Sequence, residues 1–444
     1  MANICYFRGK LVFCWLVLSV QSKDNLAAIR LNLTEIMPTY FLPVPYRPGT
    51  VIDEECYGAY EKPWQARCRD TALSGRFFHC GNDLLLQGGA VSPDCRKKKG
   101  LFPELTLLGV LAHHTPVAAS EITQLATALC SLKEAVVILQ ERGRDIDIKT
   151  LRCLTYHFAD KARSVQQTIP LALSNTVAGK RCAVSVDGGR IRIRTPKQGK
   201  KTSKKRSRFK ANWREPKLLH IWLLDCDGKI YRDFAPWIDG TMNGPDAVFM
   251  LLEYYLTALN IKNADQVLFI ADGAPWIWNR VPSLIEKLGL DPAKVYQVFD
   301  FFHAVEHLNT VAKLCKRWPE KRRRQWVSRL KSYLWVGKND EVVEAVREIT
   351  RGRNGKLIAR ERNYFEGNIQ KMQYVLARKN NLPIGSGPME SAIRRVVNLR
   401  MKGNGIFWLE QNAEAMIMLR SYYKAGRWND LFLLATTASA EALS

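Results

Sequence analysis

The sequence predicts an α/β protein whose core is a mixed five-stranded sheet, with elements in the order βββαβαβα. Two apolar runs, residues 182–186 and 267–271, have the length of buried strands, and they end in Asp187 and Asp272. Helical periodicity separates the later strands, and strand–helix–strand crossovers favour parallel pairing. The earlier strands are joined without helices and are therefore predicted to pair antiparallel.

The antiparallel part is predicted from alternation and turn residues. The first strand is expected to continue past Gly188 and Gly189, where alternation places three arginines on one face and two isoleucines on the other. Asp227-Gly228 is a hairpin turn signal between the second and third strands. The predicted bounds of these three strands are 182–194, 217–225 and 230–238.

A helix follows with Pro245 in its first turn and one apolar stripe of helical period. The stripe consists of Val248, Leu251, Leu252, Tyr255, Leu256 and Leu259. The fourth strand then ends at Asp272, and a helix is predicted near 281–288. A fifth strand over 295–299 enters a helix at Asp300.

Composition and periodicity divide the chain further. An all-helical block before Glu390 is predicted to be an insertion into the sheet domain, and a helical DNA-binding region precedes the sheet. The predicted segments are 1–100, poorly patterned; 101–175, helical and helix-turn-helix-like; 180–310 with 383–430, the sheet domain; 311–382, the all-helical insertion; and 431–444, a tail.

The N-terminal helical region has the outline of a helix-turn-helix. Ser131 and Glu134 form a capping box, Gly143 fits the end of that helix, and a second helix is predicted over 148–163. The second helix carries four basic residues that could face DNA, namely Lys149, Arg152, Lys161 and Arg163. An ordinary helical hairpin with solvated charges explains the pattern equally well.

The charge of the chain predicts a polyanionic partner. The 67 Lys and Arg residues outnumber 42 Asp and Glu, and the net charge of +25 favours nucleic acid ahead of a membrane surface. Eleven cysteines without a C-x-x-C pair indicate reduced thiols in a cytoplasmic, nucleoid-associated protein. The apolar segment 11–20 resembles a signal-peptide core but is too short to span a bilayer as a helix.

Three acids are the candidate catalytic residues. Asp187 and Asp272 end strands, and Glu390 lies in the first turn of a predicted helix. Each acid alone is more typical of a strand end or a helix N-terminus, so the hypothesis depends on their joint placement. Two strand-end aspartates and a late helical glutamate hold a pair of Mg²⁺ ions in ribonuclease-H-like phosphotransferases, because hard cations take oxygen ligands.

A series of motifs resembles, in order and spacing, that of bacterial insertion-sequence transposases of the Kra family. The motifs are SVDGGR at 185–190, ADGAPW at 271–276, FDFFH at 299–303, EHL at 306–308, PIGSGPMES at 383–391, RRVVNLR at 394–400 and KGNG at 402–405. The resemblance covers residues 182–428. Relatives often carry a cysteine-pair zinc module near the N-terminus, whereas Cys56, Cys68, Cys80 and Cys95 are too widely spaced for one.

The resemblance implies a DDE transposase of ribonuclease-H-like fold in which Asp187, Asp272 and Glu390 bind Mg²⁺, with Mn²⁺ able to substitute. It implies that the partners are the element's terminal inverted repeats, target DNA and further copies of the chain assembled on DNA. Neither a small-molecule cofactor nor a membrane is expected.

Asp300 and His303 are candidates for an auxiliary role, since they share one helix face just after the fifth strand. A helix-capping aspartate with a partly buried histidine is an equally good interpretation. The same stretch also matches H-x-x-E-H, a zinc-peptidase pattern in which His303 and His307 would bind Zn²⁺ and Glu306 would be the general base. That pattern would leave the net charge and the other acids unexplained.

The hairpin between the first two strands is the main predicted DNA contact. Twelve Lys or Arg residues and no acid lie between Arg190 and Arg214, and contacts of this kind bind phosphates without reading sequence. The predicted DNA-binding residues are Arg190, Arg192, Arg194, Lys200, Lys201, Lys204, Lys205 and Arg206 of the hairpin, and Arg394, Arg395, Arg400 and Lys402 after the catalytic helix begins.

These patterns together predict a DNA transposase that cleaves element ends and transfers the strands into target DNA. An inactive or repurposed DNA-binding derivative is the first alternative, and a zinc metallopeptidase is a remote one.

Overall fold

The computed structural model describes residues 111, 114–166, 177–203, 205 and 207–437, and the backbone alone of residues 3–7, 10–14, 17–22, 25–30, 72–79 and 82–89. The chain divides into two compact units, Met1–Val165 with Phe432–Ser444, and Gln166–Leu431. Among the described helices, none is long and apolar enough to cross a membrane.

The first unit contains strands that the sequence pattern does not predict. They are β1 (Asn3–Phe7), β2 (Lys10–Cys14), β3 (Val17–Ser22), β4 (Asn25–Arg30), β5 (Ala72–His79) and β6 (Asn82–Gly89). β1 pairs with β2, and the other four form an antiparallel sheet in the order β4-β3-β6-β5. The apolar segment 11–20 is thus divided between β2 and β3.

Three helices complete the described part of this unit: α1 (Pro116–Ala128), α2 (Leu132–Glu141) and α3 (Ile148–Gln166). The predicted cap of α2 is confirmed, because the Ser131 hydroxyl oxygen accepts from the Glu134 N–H at 3.1 Å. Gly143, at φ +75°, adopts the left-handed conformation that glycine permits after a helix. The predicted helix–turn–helix succession is therefore present.

The second unit is built on the predicted mixed sheet. Its strands are β7 (Arg181–Gly188), β10 (Lys217–Leu224), β11 (Trp237–Thr241), β12 (Gln266–Ala271) and β13 (Val295–Phe299), in the spatial order β11-β10-β7-β12-β13. β10 pairs antiparallel with β7 and β11, whereas β12 lies parallel to β7 and β13. The parallel strands therefore bring their carboxyl ends to one edge.

The prediction of one continuous first strand is wrong, because β8 (Ile191–Pro196) and β9 (Phe209–Arg214) form a separate two-stranded ribbon. The ribbon keeps the register of the β7–β10 pair, since Gly188 lies opposite Lys217 and Ile191 lies opposite Arg214. The ladder is interrupted at Pro216, which has no N–H to donate. The hairpin consequently leaves the sheet, and every residue of β9 is exposed.

The third strand begins later than predicted, at Trp237 instead of residue 230. The predicted hairpin turn is present, since the Asp225 N–H donates to the Lys229 oxygen at 2.9 Å. Ile230 still bridges Leu224, and the Tyr231 N–H donates to the Leu223 oxygen at 2.9 Å. Residues 232–236 then leave the ladder, and pairing resumes with Ile221 opposite Trp237. Pro236 explains part of the delay, because it cannot donate to the ladder.

Short helices follow the later strands: α4 (Pro245–Ala258), α5 (Pro275–Trp278) and α6 (Val281–Lys287). The predicted apolar stripe of α4 and its flank is buried along its length, from Val248 at 0 % exposure to Leu259 at 0 %. α4 packs against β10 and β11. The periodicity of this segment therefore predicted both its conformation and its buried face.

The predicted all-helical block is confirmed. It contains α7 (Phe301–Leu314), α8 (Glu320–Val336), α9 (Asn339–Thr350), α10 (Lys356–Glu366) and α11 (Tyr374–Lys379). The chain then returns to the sheet through α12 (Gly387–Ile393), a π-helical turn (Arg394–Asn398), α13 (Leu399–Met401), α14 (Glu410–Ala425) and α15 (Trp428–Thr436). α15 crosses the predicted start of the tail at residue 431, where buried Leu431 continues the helix.

Candidate active site

Three aspartates lie at the carboxyl ends of three neighbouring parallel strands. Val184 of β7 pairs with Phe269 of β12, so Asp187 and Asp272, each three residues later, continue that register. Ala271 pairs with Phe299 of β13, which places Asp300 next to Asp272. The Asp300 N–H donates to the Ala271 oxygen at 2.8 Å, so the pairing of β12 with β13 extends to Asp300.

Asp187 and Asp272 are half-buried and electrostatically coupled. Burial raises the pKa of Asp187 to about 6, and the charge of Asp272 adds to this, although the Gly188 N–H donates to the carboxylate at 2.6 Å. Burial also raises the pKa of Asp272, against a hydrogen bond from the Ala274 N–H at 3.1 Å. Two partly desolvated carboxylates close together are stabilised by a nearby cation.

Glu215 is a further acid at this site that the sequence analysis missed. Its negative charge contributes to the raised pKa of both Asp187 and Asp272. Its carboxylate lies over Gly188, where an added Cβ would overlap it. Lys217 donates to Glu215 at 2.6 Å. The glycine after Asp187, which leaves room for a neighbouring side chain, is the sequence signal that could have revealed this contact.

Asp300 is fully buried and joins two segments of the site. One carboxylate oxygen accepts from the Phe302 N–H at 2.7 Å and the His303 N–H at 3.0 Å, which caps α7. The other accepts from the N–H and the hydroxyl of Ser386, each at 2.5 Å. Asp300 therefore ties the end of β13 to the loop that leads into the helix of Glu390.

These four hydrogen bonds support the helix-capping interpretation of Asp300. A carboxylate offers about four lone-pair sites, and donors occupy all of them here. Burial by itself would raise the pKa of Asp300, but the hydrogen bonds with His303 and Ser386 outweigh it and hold the pKa at about 2. Asp300 is thus a helix cap and a positioning residue, and its oxygens are poorly placed to serve a metal.

His303 lies between the acids. Its Nδ1 is 3.5 Å from the Asp300 carboxylate, which raises the pKa of His303 to about 9 despite partial burial. The charge of Asp272 contributes to the same rise, and His303 in turn lowers the pKa of Asp187. The surrounding carboxylates therefore favour the protonated imidazole, which would supply one positive charge to a site rich in acids.

Glu390 lies in the first turn of α12, as predicted, and its side chain is exposed. α12 packs on β7 and β10, where His220 is buried close to Pro388. Burial, and then the charge of Arg395, lowers the pKa of His220 to about 3, so this supporting side chain is neutral. The sheet residue His220 beneath the helix that carries Glu390 is thus uncharged.

The predicted residues form two overlapping groups. Ligand atoms of Asp300, His303 and Glu390 all lie within 4.8 Å of one another. Asp187 and Asp272 are coupled to each other and to His303. Among the residues that the structure describes, Asp187, Asp272 and Glu390 do not by themselves form such a tight group. His303, at 33 % side-chain exposure, is the residue that the two groups share.

His307 is directed away from the arrangement that a zinc peptidase would need. Its Nδ1 lies 2.6 Å from the buried carboxylate of Glu361, and its ring stacks on Tyr364 at 3.7 Å. Tyr364 also lies over Gly273, next to Asp272, where an added Cβ would overlap the ring. The pair His307–Glu361 therefore packs the helical block against the edge that carries the acids.

The predicted DNA-binding residues are mostly at the surface. The exposed ones are Arg190, Arg194, Lys200, Lys201, Lys205, Arg394 and Lys402. Arg192 and Arg395 are half-buried, and they donate to the carbonyl oxygens of Gly403 and Lys424. The prediction that Arg400 binds DNA is wrong, because its side chain is only 7 % exposed and lies against Trp408. Lys204 and Arg206 lie outside the described residues.

The four basic residues of α3 do not share one face. At about 100° per residue, Lys149, Arg152 and Arg163 fall within roughly 60° of one another, whereas Lys161 lies about 120° from Lys149. Lys149 and Arg152 are exposed. Burial lowers the pKa of Lys161. Three of the four predicted recognition residues therefore share a surface.

No protein-family model, curated protein or solved structure matches the chain.

The donor set at the strand ends suits a hard divalent cation, because it consists of carboxylate oxygens. Asp187 and Asp272 have raised pKa values from burial and from neighbouring negative charge, and a cation would relieve both effects. Glu390 is exposed, and its carboxylate lies within 4.8 Å of ligand atoms of Asp300 and His303. The three acids therefore have the donor chemistry that Mg²⁺ or Mn²⁺ prefers.

Proposed function

We propose that this chain is a DDE transposase of ribonuclease-H-like fold, which cuts DNA at element ends and joins the new 3′ ends to target DNA. The observation that carries the proposal is the alignment of Asp187 and Asp272 at the ends of two adjacent parallel strands, with the Glu390 helix packed on the same sheet. The order β11-β10-β7-β12-β13, antiparallel on one side and parallel on the other, supports the fold assignment.

In this proposal Asp187, Asp272 and Glu390 would hold Mg²⁺ or Mn²⁺, which activates an attacking oxygen and stabilises the leaving oxygen of a phosphodiester. When protonated, His303 would place a positive charge beside Asp187 and Asp272. Asp300 fixes the approach of α12 through Ser386. The exposed lysines and arginines of the hairpin would bind the phosphate backbone in the cytoplasm, where the chain would act on the nucleoid.

Nicking of supercoiled plasmid by the purified protein tests the proposal. We expect nicks with Mg²⁺ or Mn²⁺ and very few with Ca²⁺, which binds carboxylates but supports this chemistry poorly. Excess chelator should abolish the reaction. Protein that binds the plasmid yet leaves it intact with every ion would instead support a repurposed DNA-binding derivative.

A further inference from the structure

The ribbon carries arginines and aromatic rings on a single face. Partners across an antiparallel ladder share a face, and so do residues two apart on one strand. Arg192 lies opposite Trp213, and Pro196 lies opposite Phe209. The face therefore contains Arg190, Arg192, Arg194, Phe209 and Trp213, whereas Ile191 and Ile193 of the other face are buried. We call these five residues the ribbon face.

The aromatic rings of the ribbon face are open to solvent. Trp213 is 50 % exposed and Phe209 is 43 % exposed. The guanidinium groups of Arg190 and Arg192 lie 5.3 and 5.7 Å from the centre of the Trp213 ring. Exposed aromatic rings beside positive charges are the combination that binds single-stranded nucleic acid, because bases stack on the rings and phosphates pair with the charges.

The ribbon face also lies next to the acids. Glu215 directly follows β9, and its carboxylate lies over Gly188, the residue after Asp187. Trp213 precedes Glu215 by two residues, which is about 7 Å along an extended strand. A strand of DNA with a phosphate at Asp187 and Asp272 would therefore have a neighbouring base within reach of Trp213.

We propose that the ribbon face is a stacking platform for unpaired bases of DNA beside the cleavage site, with Trp213 as its main contact. Arg190 and Arg194, which are exposed, would bind the phosphates of the same strand. Stacking on an aromatic ring is tolerant of sequence, because every base has a flat face. This inference rests on the proposed function, from which it takes DNA as the substrate.

Binding of single-stranded DNA by Trp213 variants tests this inference. The probe is an oligonucleotide of about 12 thymidines, within the usual site sizes of such platforms, and a duplex of the same length is the comparison. We expect Trp213→Ala to weaken single-strand binding at least about 5-fold, the lower end for losing one stacked base, and duplex binding less than 2-fold. Anisotropy without divalent metal gives both affinities.

Matched variants separate stacking from other effects. Trp213→Phe keeps a flat ring and should restore most of the affinity, whereas Trp213→Leu keeps apolar bulk alone and should not. Asn212→Ala, an exposed neighbour on the opposite face, should leave both affinities unchanged. Lys200→Gln with Lys201→Gln should weaken single-strand and duplex binding alike, because exposed lysines contact phosphates.

A fluorescent adenine analogue in the oligonucleotide reports stacking directly, since stacking quenches it. Quenching by the native protein and by Trp213→Phe, but not by Trp213→Leu, is the expected result. Equal affinities for Trp213→Ala and native protein would overturn the inference even if plasmid nicking succeeds. A change of oligomeric state in Trp213→Ala, with unchanged DNA binding, would assign the face to a second copy of the chain. Conversely, if Trp213 binds single-stranded DNA as expected but no metal supports nicking, the stacking inference stands and the proposed function fails.

Discussion

Replacing Asp272 with asparagine is expected to reduce metal-dependent nicking by more than about 100-fold, because even loss of a residue that only orients a metal ligand costs about 10–100-fold. Asparagine keeps the shape of the side chain but removes its charge. Asp187→Asn and Glu390→Gln should have effects of the same size. Rates of plasmid nicking with Mg²⁺ at a fixed, saturating protein concentration give the comparison.

DNA affinity must be measured alongside these rates, and it should change little in all three variants. Asp227→Asn is the matched control, because Asp227 is an exposed aspartate of the β10–β11 turn. It should nick at the native rate. If any one of the three variants kept its rate within a few-fold, that residue would be removed from the metal-binding set.

Asp300→Ala is expected to destabilise the sheet unit by about 3 kcal/mol, the sum of a lost helix cap and two unsatisfied buried donors at Ser386. Hydrogen exchange is the suitable measurement, since the two units of the chain need not unfold together. The Phe302 and Ser386 amides, which donate to Asp300, should exchange much faster than in the native protein. Nicking should fall as well, because the approach of α12 is no longer fixed.

Graded variants make this prediction specific. Asp300→Asn retains one oxygen that can accept from the α7 amides, but its NH₂ group accepts from neither Ser386 donor, so its effect should be intermediate. Ser386→Ala removes one hydrogen bond and should cost about 1 kcal/mol. Asp291→Ala removes an exposed cap of a short helix and should leave the Ser386 amide unchanged. Equal protection of the Ser386 amide in Asp300→Ala and in the native protein would show that the Asp300–Ser386 hydrogen bonds do not stabilise this segment.

Much of the sheet unit could be predicted from the sequence, because apolar runs and the stripe of α4 reflect burial directly. The strand-end positions of Asp187, Asp272 and Asp300 were predicted, whereas their register came from the structure. The late start of the third strand could not be predicted, since residues 232–236 include the apolar Phe234 and yet lie outside the ladder. The break at Pro216 was also overlooked, although a proline within a strand removes a ladder donor.

The surroundings of the candidate site were harder to predict, because they come from contacts between distant segments. Glu215 reaches Asp187 across the hairpin, and Ser386 reaches Asp300 from beyond the helical block. The burial of Arg400 against Trp408 is likewise a tertiary effect. The sequence shows the chemistry of each of these side chains, whereas the residue that each one contacts is seen only in the folded chain.

Binding of Mn²⁺ tests the central claim most directly, because the free ion has a paramagnetic resonance signal that is lost on binding. With DNA present, the native protein should bind Mn²⁺, and without DNA it should bind little, since such sites are completed by substrate phosphate. Asp187→Asn and Asp272→Asn should bind markedly less under the same conditions. Equal Mn²⁺ binding by the native protein and both variants, or stoichiometric zinc lost only in His307→Ala, would contradict the account.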